Sequence, residues 1–263
     1  ILAEEIGMAA RRHGRRAQGR AAQPGTASVL TRVLGGLGGL LITFGVLVLA
    51  FVAWQLWIQD ATVSTQQGDR AAALSRQWAS KSPSHADPQG TKTPPAASTR
   101  PTVGQAFGVL HIPRLGVGWS RPLIGGTTIG VLNKLGAGWY PQSSLPGQIG
   151  NTAFASHRGG HGSNFRYLDT LRYGDVIVLE TEPGWYVYDY RNTEYVMDTA
   201  VSVVNPVPQS TAAAKARLLT LTTCNPYPFT NGERMIVYSV FRVFYPRNGG
   251  LPASLSAQLQ GGR

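Results

Sequence analysis

The chain has 263 residues, of which 43% are hydrophobic and only 14% charged, with 32 Gly and 17 Pro. So few charges and so many turn-forming residues exclude a coiled coil or a mainly helical bundle, and they favour short strands joined by turns. The net charge of +11 is spread along the chain rather than concentrated with aromatic residues on one element, which argues against a nucleic-acid-binding protein.

The N-terminal region combines a basic tail with a long uncharged segment. The tail, residues 1–32, contains Arg11-Arg12-His13-Gly14-Arg15-Arg16, and no formal charge occurs between Val33 and Gln59. These 27 uncharged residues would span roughly 40 Å as a helix, more than the ~30 Å hydrocarbon core of a bilayer. We therefore predict a transmembrane helix over 33–59, with the basic tail in the cytoplasm and the bulk of the chain outside. The alternative is a cleaved signal peptide, whose apolar core spans only about 7–15 residues.

The next segment, residues 60–103, is rich in Ala, Ser, Thr, Gln and Pro. This composition does not build a hydrophobic core, so we predict a flexible extracytoplasmic linker with a short helix around Ala71–Trp78. Such a tether would keep an outer domain near the membrane. Met8, which leads directly into the arginines, is a candidate start of the natural chain.

The remaining chain carries strand signals, namely short runs rich in Val, Ile, Tyr, Thr and Leu that are bounded by Gly, Pro or Asn. We predict one β domain over residues 104–245 and a C-terminal tail over 246–263, with few helices, near Ile129–Leu135 and Phe165–Leu171. Short strands at this spacing are typical of a barrel or a sandwich. The predicted strands are Phe107–Ile112, Asn151–His157, Asp175–Thr181, Trp185–Tyr190, Tyr195–Asn205, Arg217–Cys224 and Arg234–Phe244.

A single cysteine, Cys224, excludes an internal disulfide. It ends one predicted strand, and Arg234 opens the next after a nine-residue loop. Two antiparallel neighbours would place the thiol and the guanidinium together at one rim. The thiolate is the nucleophilic form of cysteine, and a nearby guanidinium favours it or binds the oxyanion that forms when a carbonyl is attacked.

A histidine would complete such a site by moving a proton to the leaving amine. His157 ends a predicted strand, and His161, four residues later in a Gly-rich loop, is an equal candidate by spacing alone. Each residue has a structural alternative, because a lone cysteine at a strand end is more often a small buried hydrophobe. The residues by themselves therefore indicate an exported, anchored protein with a candidate reactive thiol.

Several strings in the outer domain resemble the motifs of sortases. Thr220-Leu221-Thr222-Thr223-Cys224, with Arg234 opening the following strand, resembles the TLxTC…R signature of that family. Asn151–Arg158 is similar to the family's strand that ends in His-Arg, and Phe165–Asp175 resembles the segment that follows it. The resemblance covers about residues 104–245. It is greatest to class E, the type of high-GC actinobacteria, and class D is the neighbouring alternative.

The resemblance implies a mainly β fold, a closed eight-stranded sortase-type β-barrel with short helices. It implies that Cys224 is the nucleophile, His157 the general acid and base, and Arg234 the stabiliser of the oxyanion or of the substrate backbone. Thr223, just before the thiol, and Tyr140, in the loop before the His strand, are further candidates for substrate binding. His161 does not match the motif.

The implied reaction is cleavage of a sorting signal between Thr and Gly through a thioacyl-enzyme. An amine of a lipid-linked peptidoglycan precursor then resolves the intermediate, so the enzyme is a cysteine transpeptidase of the thiol-protease type. For class E the implied signal is LAxTG-like rather than LPxTG. The alternatives are a pilin-polymerising sortase and a cell-wall cysteine peptidase.

The implied partners are surface proteins with a C-terminal sorting signal, the lipid-linked precursor and the membrane, and no nucleic acid. The implied location is the cell membrane, crossed once, with the catalytic domain outside. We expect no cofactor and no metal, because the acidic residues Asp169, Asp175, Glu180 and Glu182 are scattered along the chain.

Overall fold

The structure is a computed structural model that describes residues 29–54, 59–81, 87–95 and 99–260. It divides into two units between Leu49 and Ala50. The helices are α1 (Val29–Ala53), α2 (Gln59–Lys81), α3 (Ile129–Lys134) and α4 (Ala253–Gln260); the strands are β1 (Ala106–His111), β2 (Ser120–Gly125), β3 (Ala137–Trp139), β4 (Gly150–Ala155), β5 (Val176–Thr181), β6 (Gly184–Met197), β7 (Arg217–Asn225) and β8 (Glu233–Pro246).

Helix α1 lies almost entirely in the first unit. Its most apolar 18-residue window has a mean hydropathy of 2.4, and none of its residues is buried. Within the described part of the chain it is the one helix long and apolar enough to cross a membrane, judged by length and composition. It begins and ends a few residues before the predicted segment 33–59. The predicted basic tail up to residue 28, and residues 55–58, lie outside the described residues.

In the second unit the eight strands close into a barrel in the order β1-β2-β3-β4-β7-β8-β6-β5. The β2–β3 and β4–β7 pairs are parallel, and the other neighbours are antiparallel. Side chains alternate between the two faces of each strand, so every second residue enters the barrel interior. Fully buried residues such as Phe154, Leu219, Leu221 and Val237 fill that interior. The predicted closed eight-stranded, mainly β barrel is confirmed.

Several parts of the barrel differ from the sequence prediction. β2 and β3 were not predicted, the strand predicted to end at His157 ends at Ala155, and the predicted strand Trp185–Tyr190 continues into the next one as β6. The predicted strand Tyr195–Asn205 is wrong beyond Met197, where β6 ends, because Val201–Val204 form a 3₁₀ turn instead. Val203 and Val204 in this turn are buried against the outside of the barrel wall, which explains their apolar character. The predicted helix over 165–171 is reduced to a 3₁₀ turn at Leu168–Thr170.

The segment between α1 and the barrel also differs from the expected flexible linker over 60–103. Helix α2 occupies its first part and is about four turns longer than the predicted helix around Ala71–Trp78. Gln67, Ala71 and Trp78 are buried where α2 packs on the barrel, at spacings that share one helix face. Farther on, Thr91 pairs with Phe244 through two backbone hydrogen bonds of 2.8 and 2.9 Å. These described parts of the segment are attached to the barrel wall.

A buried charge cluster holds α2 against β5. The Glu180 carboxylate accepts hydrogen bonds from Ser75 on α2 (2.6 Å), His111 on β1 (2.9 Å) and Arg247 (2.9 Å). The Arg247 guanidinium also lies over the Trp78 ring, 5.5 Å from its centroid. Burial alone would raise the pKa of Glu180, but these hydrogen bonds and charges outweigh it and hold the pKa below its usual range.

Candidate active site

The thiol lies near the end of β7, on the outward face of the barrel wall. Leu219 and Leu221 face the core, so by alternation Thr222 and Cys224 face outward. Cys224 is a free, partly exposed cysteine. Its direct partner in the antiparallel ladder is Arg234 on β8. Directly opposed residues have Cβ atoms about 4.5–5.5 Å apart, so the thiol and the guanidinium start from neighbouring points on one face.

The third candidate, His157, follows β4, which runs parallel to β7 on its other side. Ala155 is paired with Thr222, and the Ser156 N–H donates to the Thr222 carbonyl at 3.2 Å. His157 therefore lies two residues beyond Ala155, just as Cys224 lies two residues beyond Thr222. Because β4 and β7 end at the same rim, the structure brings His157 and Cys224 to one face, with Arg234 next in line.

Cys224 and His157 line one cavity of about 680 Å³. Its walls are the loop that follows β4 and the loop that joins β7 to β8, and these loops contact each other through Arg166, which stacks 4.6 Å from the Tyr227 ring centroid. The lining residues are Asp60, His157, Arg158, Gly159, Gly160, His161, Arg166, Cys224, Pro226, Tyr227, Pro228, Phe229 and Thr230. The thiol and the imidazole therefore border the same cavity.

The imidazole of His157 is held by Asn133 on α3. Its Nε2 lies 2.8 Å from the Asn133 Oδ1, and because an amide oxygen only accepts, Nε2 carries the proton. In the neutral ring this leaves Nδ1 free to accept a proton. Burial lowers the pKa of His157, and the charge of His161, whose ring centroid is 5.1 Å away, lowers it further, while Asp60 opposes both. The neutral imidazole therefore dominates at pH 7.

Arg234 lines a second, smaller cavity of about 130 Å³ beside the thiol. Its Nη2 is 3.5 Å from the Asp198 carboxylate and its Nη1 donates to the Glu233 carbonyl at 3.0 Å. About a third of the side chain is exposed, which leaves room for another acceptor. The other walls are mainly apolar: Tyr140, Gln142, Val196, Met197, Asp198, Ala200, Val201, Val203, Val204, Thr222 and Ile236.

Tyr140 is one of the residues that line this second cavity. Its hydroxyl is 2.9 Å from the Thr222 Oγ1, and its N–H donates to the Ala153 carbonyl on β4 at 3.0 Å. Burial raises the pKa of Tyr140, although the Thr222 hydrogen bond and the Arg234 charge oppose the shift. The phenol therefore stays neutral and keeps a hydroxyl group beside the outward face that carries Cys224.

Thr223 is placed differently from the sequence expectation of a substrate contact. It is 3% exposed, and its Oγ1 donates to the Ser156 carbonyl at 2.8 Å. By alternation its side chain leaves the strand on the face opposite Cys224. Two residues farther along each of these two segments, Arg158 donates to the Asn225 side chain. These two links join the residues flanking His157 to the residues flanking Cys224.

Within the described residues, no group of three or more His, Cys, Asp or Glu side chains is arranged to hold a metal ion. The acidic residues that the sequence singled out have cationic partners instead. Asp169 pairs with Arg158, Asp175 with Arg114, Glu180 with Arg247 and Glu182 with Lys81.

Two residues of the site escaped the sequence analysis, Asn133 and Asp60. Asn133 lies in the helix predicted at Ile129–Leu135, and nothing in that short segment singles it out. Asp60 lies in what was predicted to be linker, and its carboxylate reaches the loop that follows β4. Only the folding of α2 onto the barrel reveals this contact.

Comparisons with known proteins identify the family of the chain. A family model described as a sortase domain matches residues 110–241. Sortase SrtE1 of Streptomyces coelicolor is 37% identical over 248 residues, covering 91% of this chain and 65% of that protein, so the chain spans about two thirds of this relative. Sortase SrtE2 of the same organism is 31% identical, covering 89% of this chain and 88% of that protein. The solved sortase E from Streptomyces avermitilis has 38% identity and a TM-score of 0.53, covering 59% of this chain and 99% of that one.

Proposed function

This chain belongs to the sortase family, and from that premise we propose that it cleaves a sorting signal of the LAxTG or LPxTG type between Thr and Gly and joins the Thr to an amine. The proposed intermediate is a thioacyl-enzyme on Cys224. His157 is the proposed general acid and base, and Arg234 the proposed stabiliser of the oxyanion or of the substrate backbone.

The observation that carries this proposal is the register of three neighbouring strands. The β7–β8 ladder pairs Cys224 with Arg234, and the β4–β7 ladder brings His157 to the level of Cys224. All three residues leave the barrel wall on the outward face, at one rim. A nucleophile, a proton carrier and a cationic hydrogen-bond donor in one row are what acyl transfer from a peptide requires.

In the first half of the proposed reaction, the neutral His157 imidazole takes the proton of the Cys224 thiol. The resulting thiolate attacks the carbonyl carbon of the Thr and a C–S bond forms. The negative charge that develops on the carbonyl oxygen is bound by the Arg234 guanidinium, whose N–H groups donate without losing a proton. The C–N bond to Gly then breaks, and the His157 imidazolium gives its proton to the leaving amine. The product is a thioester between the Thr and Cys224.

In the second half, an acceptor amine attacks the thioester. A C–N bond forms, the C–S bond breaks, and the Cys224 thiolate is restored. The amine loses a proton to His157, and because Nε2 is held by Asn133, Nδ1 is the nitrogen that receives it. The lowered pKa of His157 supports this step, since the neutral imidazole that must accept the proton is the major form at pH 7.

Recognition of the sorting peptide is proposed to use the second cavity. Its walls include Val203 and Ile236, which are buried and apolar, and its volume of about 130 Å³ suits one aliphatic side chain such as the leading Leu of the signal. Tyr140 supplies a neutral hydroxyl at the wall of this cavity, where it could reach the peptide backbone beside the Ala or Pro position. Thr223 is proposed to hold the strands in place rather than to touch the peptide.

The proposed location is the outer face of the cell membrane. Helix α1 supports a single membrane anchor, and the arginines that precede it in the sequence support a cytoplasmic N-terminus. In that setting the proposed donors are surface proteins that carry a C-terminal sorting signal. The proposed acceptor is an amine of a lipid-linked peptidoglycan precursor in the same membrane.

The test is turnover of short peptides by the full chain in detergent. LAxTG and LPxTG peptides are incubated with and without candidate amines, and the products are identified by mass spectrometry. We expect an amine-dependent product for at least the LAxTG peptide, and without an amine a covalent adduct on Cys224. The Cys224→Ala variant should form neither, and Ser239→Ala on β8 is the matched folded control.

Three outcomes would contradict the proposal in whole or in part. Unchanged turnover by Cys224→Ala would exclude the thiol as the nucleophile. Hydrolysis that never yields an amine-dependent product would instead indicate a cell-wall cysteine peptidase. Transfer to a second sorting substrate's lysine, in preference to a precursor amine, would indicate polymerisation of pilin-like subunits.

A further inference from the structure

The loop that follows His157 adopts a costly backbone conformation. His161, Gly162 and Ser163 have φ angles of 53°, 92° and 44°, so three successive residues lie in the left-handed region. Glycine reaches this region freely, but His161 and Ser163 carry a Cβ that disfavours it. Conformations of this kind persist only where surrounding contacts hold them.

The contacts that hold this loop come from the start of α2. The Asp60 Oδ1 accepts the Gly162 N–H at 2.5 Å, and the Asp60 Oδ2 accepts the Ser163 hydroxyl at 2.5 Å. Both are charge-assisted hydrogen bonds, which are stronger than bonds between neutral groups. The loop also packs closely on α2, since a Cβ on Gly162 would lie 3.3 Å from the Val63 side chain.

A second connection runs from α2 to the residue before His157. The buried Arg121 on β2 donates from Nη2 to the Ser64 hydroxyl on α2 (2.6 Å) and from Nε to the Asn164 Oδ1 (2.5 Å). The Asn164 amide in turn donates to the Ser156 Oγ at 3.0 Å. Burial lowers the pKa of Arg121 to about 10, although Asp60 opposes this, so the guanidinium remains charged at neutral pH. The first turns of α2 therefore contact Gly162 and Ser163 directly, and they connect to Ser156 through Arg121 and Asn164.

We propose that Asp60 is a positioning residue of the active site, which holds the 157–163 loop in the conformation that presents His157 to Cys224. Asp60 also lines the cavity that holds both residues, so its charge acts on the imidazole directly. This inference rests on the proposed function. It extends the catalytic unit beyond the barrel to the helix that follows the membrane segment, which the sequence analysis took as linker.

The test compares Asp60→Asn with Asp69→Asn in the full chain in detergent. Asp69 is exposed on the same helix, so it is the control for the loss of one negative charge from α2. For Asp60→Asn we expect kcat for the LAxTG peptide with an amine acceptor to fall roughly ten- to hundredfold, with KM little changed, because the loop orients the proton carrier without binding the peptide. Ser163→Ala, which removes one of the two bonds, should show a smaller fall in the same direction.

A second readout follows the imidazole itself by NMR titration of ¹⁵N-labelled histidine. The titratable groups that share the cavity with His157 are His161, Cys224, Tyr227 and Asp60, and Arg158 and Arg166 are permanent cations. Loss of the Asp60 charge should move the His157 midpoint to lower pH, because an anion favours the imidazolium. Asp69→Asn should leave it in place.

The proposal is wrong if Asp60→Asn and Asp69→Asn have the same kcat and the same His157 midpoint. It is also wrong if the fall in kcat merely follows the unfolded fraction measured by circular dichroism, while Ser163→Ala retains full activity. Absence of transpeptidation in the unaltered chain would contradict the proposed function instead. In that case the His157 midpoint still tests the Asp60 contact.

Discussion

Cys224 on β7 and Arg234 on β8 are direct partners in one antiparallel ladder, and both face outward from the barrel wall. Their separation is therefore fixed by backbone hydrogen bonds. The Arg234 side chain contributes its length and a planar guanidinium group whose N–H donors are arranged as a fork. In this structure one arm of that fork is near Asp198, at 3.5 Å, and the side chain remains partly exposed to the cavity.

This relationship predicts that Arg234→Lys is not a conservative change. Lysine keeps the positive charge but loses the fork that can donate two bonds to one carbonyl group. We expect kcat/KM for the sorting peptide to fall roughly ten- to hundredfold, without a change in melting temperature. Arg242→Lys, on the same strand and paired with Asp189, is the control. Equal activity of the two variants would show that charge alone suffices at position 234.

The Thr223 hydroxyl predicts a link between stability and activity. Thr223→Val keeps the shape of the side chain but removes the donor to the Ser156 carbonyl, and should lower the free energy of unfolding by about 1 kcal/mol. Thr220 lies on the same strand as Thr223, and Thr220→Val removes its buried hydrogen bond to Asn151 on β4. This variant should lower the free energy of unfolding by a similar amount. Only the Thr223 variant should also lower kcat/KM, because only its bond adjoins His157. Chemical denaturation and peptide turnover check the two expectations, and equal kcat/KM for both variants would contradict them.

The two neighbouring histidines predict a shift in pH dependence. After burial, the charge of His161 is the next cause that lowers the pKa of His157. A like charge disfavours the imidazolium, so His161→Gln should raise the pKa of His157 towards the ordinary value of about 6.5. NMR titration should show the His157 midpoint at higher pH, and the acid side of the kcat/KM profile should move the same way. A midpoint that stays in place would mean that the two rings do not interact, and one that moves to lower pH would mean that His161 favours the imidazolium. The His111 signal is the internal reference.

The buried carboxylate of Glu180 predicts a pH-dependent contribution to stability. Glu180→Gln leaves the Arg247 cation without its anionic partner and should lower the free energy of unfolding at pH 7 by about 3 kcal/mol. Because the pKa of Glu180 is lowered in the folded protein, its stabilisation is present above the unfolded value of about 4.3 and is lost as the pH falls through the folded value.

Urea denaturation at several pH values checks this expectation. The difference between Glu180→Gln and the unaltered chain should therefore shrink below about pH 4. Glu182→Gln removes only an exposed pair with Lys81 and should change the free energy of unfolding by less than about 1 kcal/mol. A difference that persists unchanged at low pH would assign the effect to packing rather than charge.

Much of the barrel was predictable because its strands are long enough to show a pattern. β1, β4, β5, β7 and β8 each have six or more residues of β-favouring type, and turn residues bound them. β3 has three residues, too few for any periodicity to appear, and β2 contains Pro122, which weakens a strand signal. Residues 201–204 resemble part of a strand because they include three valines, but two of these are apolar because they pack on the outside of the barrel in a 3₁₀ turn.

The site residues that are close to each other in the sequence were predictable, and those that distant segments bring to the site were not. Cys224 and Arg234 are joined by one short loop, so a simple hairpin places them together. Asn133 is 24 residues from His157, and Asp60 is 102 residues from Gly162. Only the part of helix α2 around Ala71–Trp78 was predicted. The rest was missed because the buried face of α2 includes Gln67 and the remainder is polar, so its composition resembles a linker.

Because β4 pairs in parallel with β7, the distance between His157 and Cys224, the proposed catalytic pair, does not depend on the length of the chain between them. His157 and Cys224 are aligned by ladder hydrogen bonds, although 67 positions separate them in the sequence. The connections between β5 and β6, or between β6 and β7, could therefore gain or lose residues without moving the imidazole relative to the sulfur. Doubling such a connection costs only about 0.6 kcal/mol in closure entropy. The spacing of the proposed catalytic pair is thus set by strand pairing and not by the length of these connections.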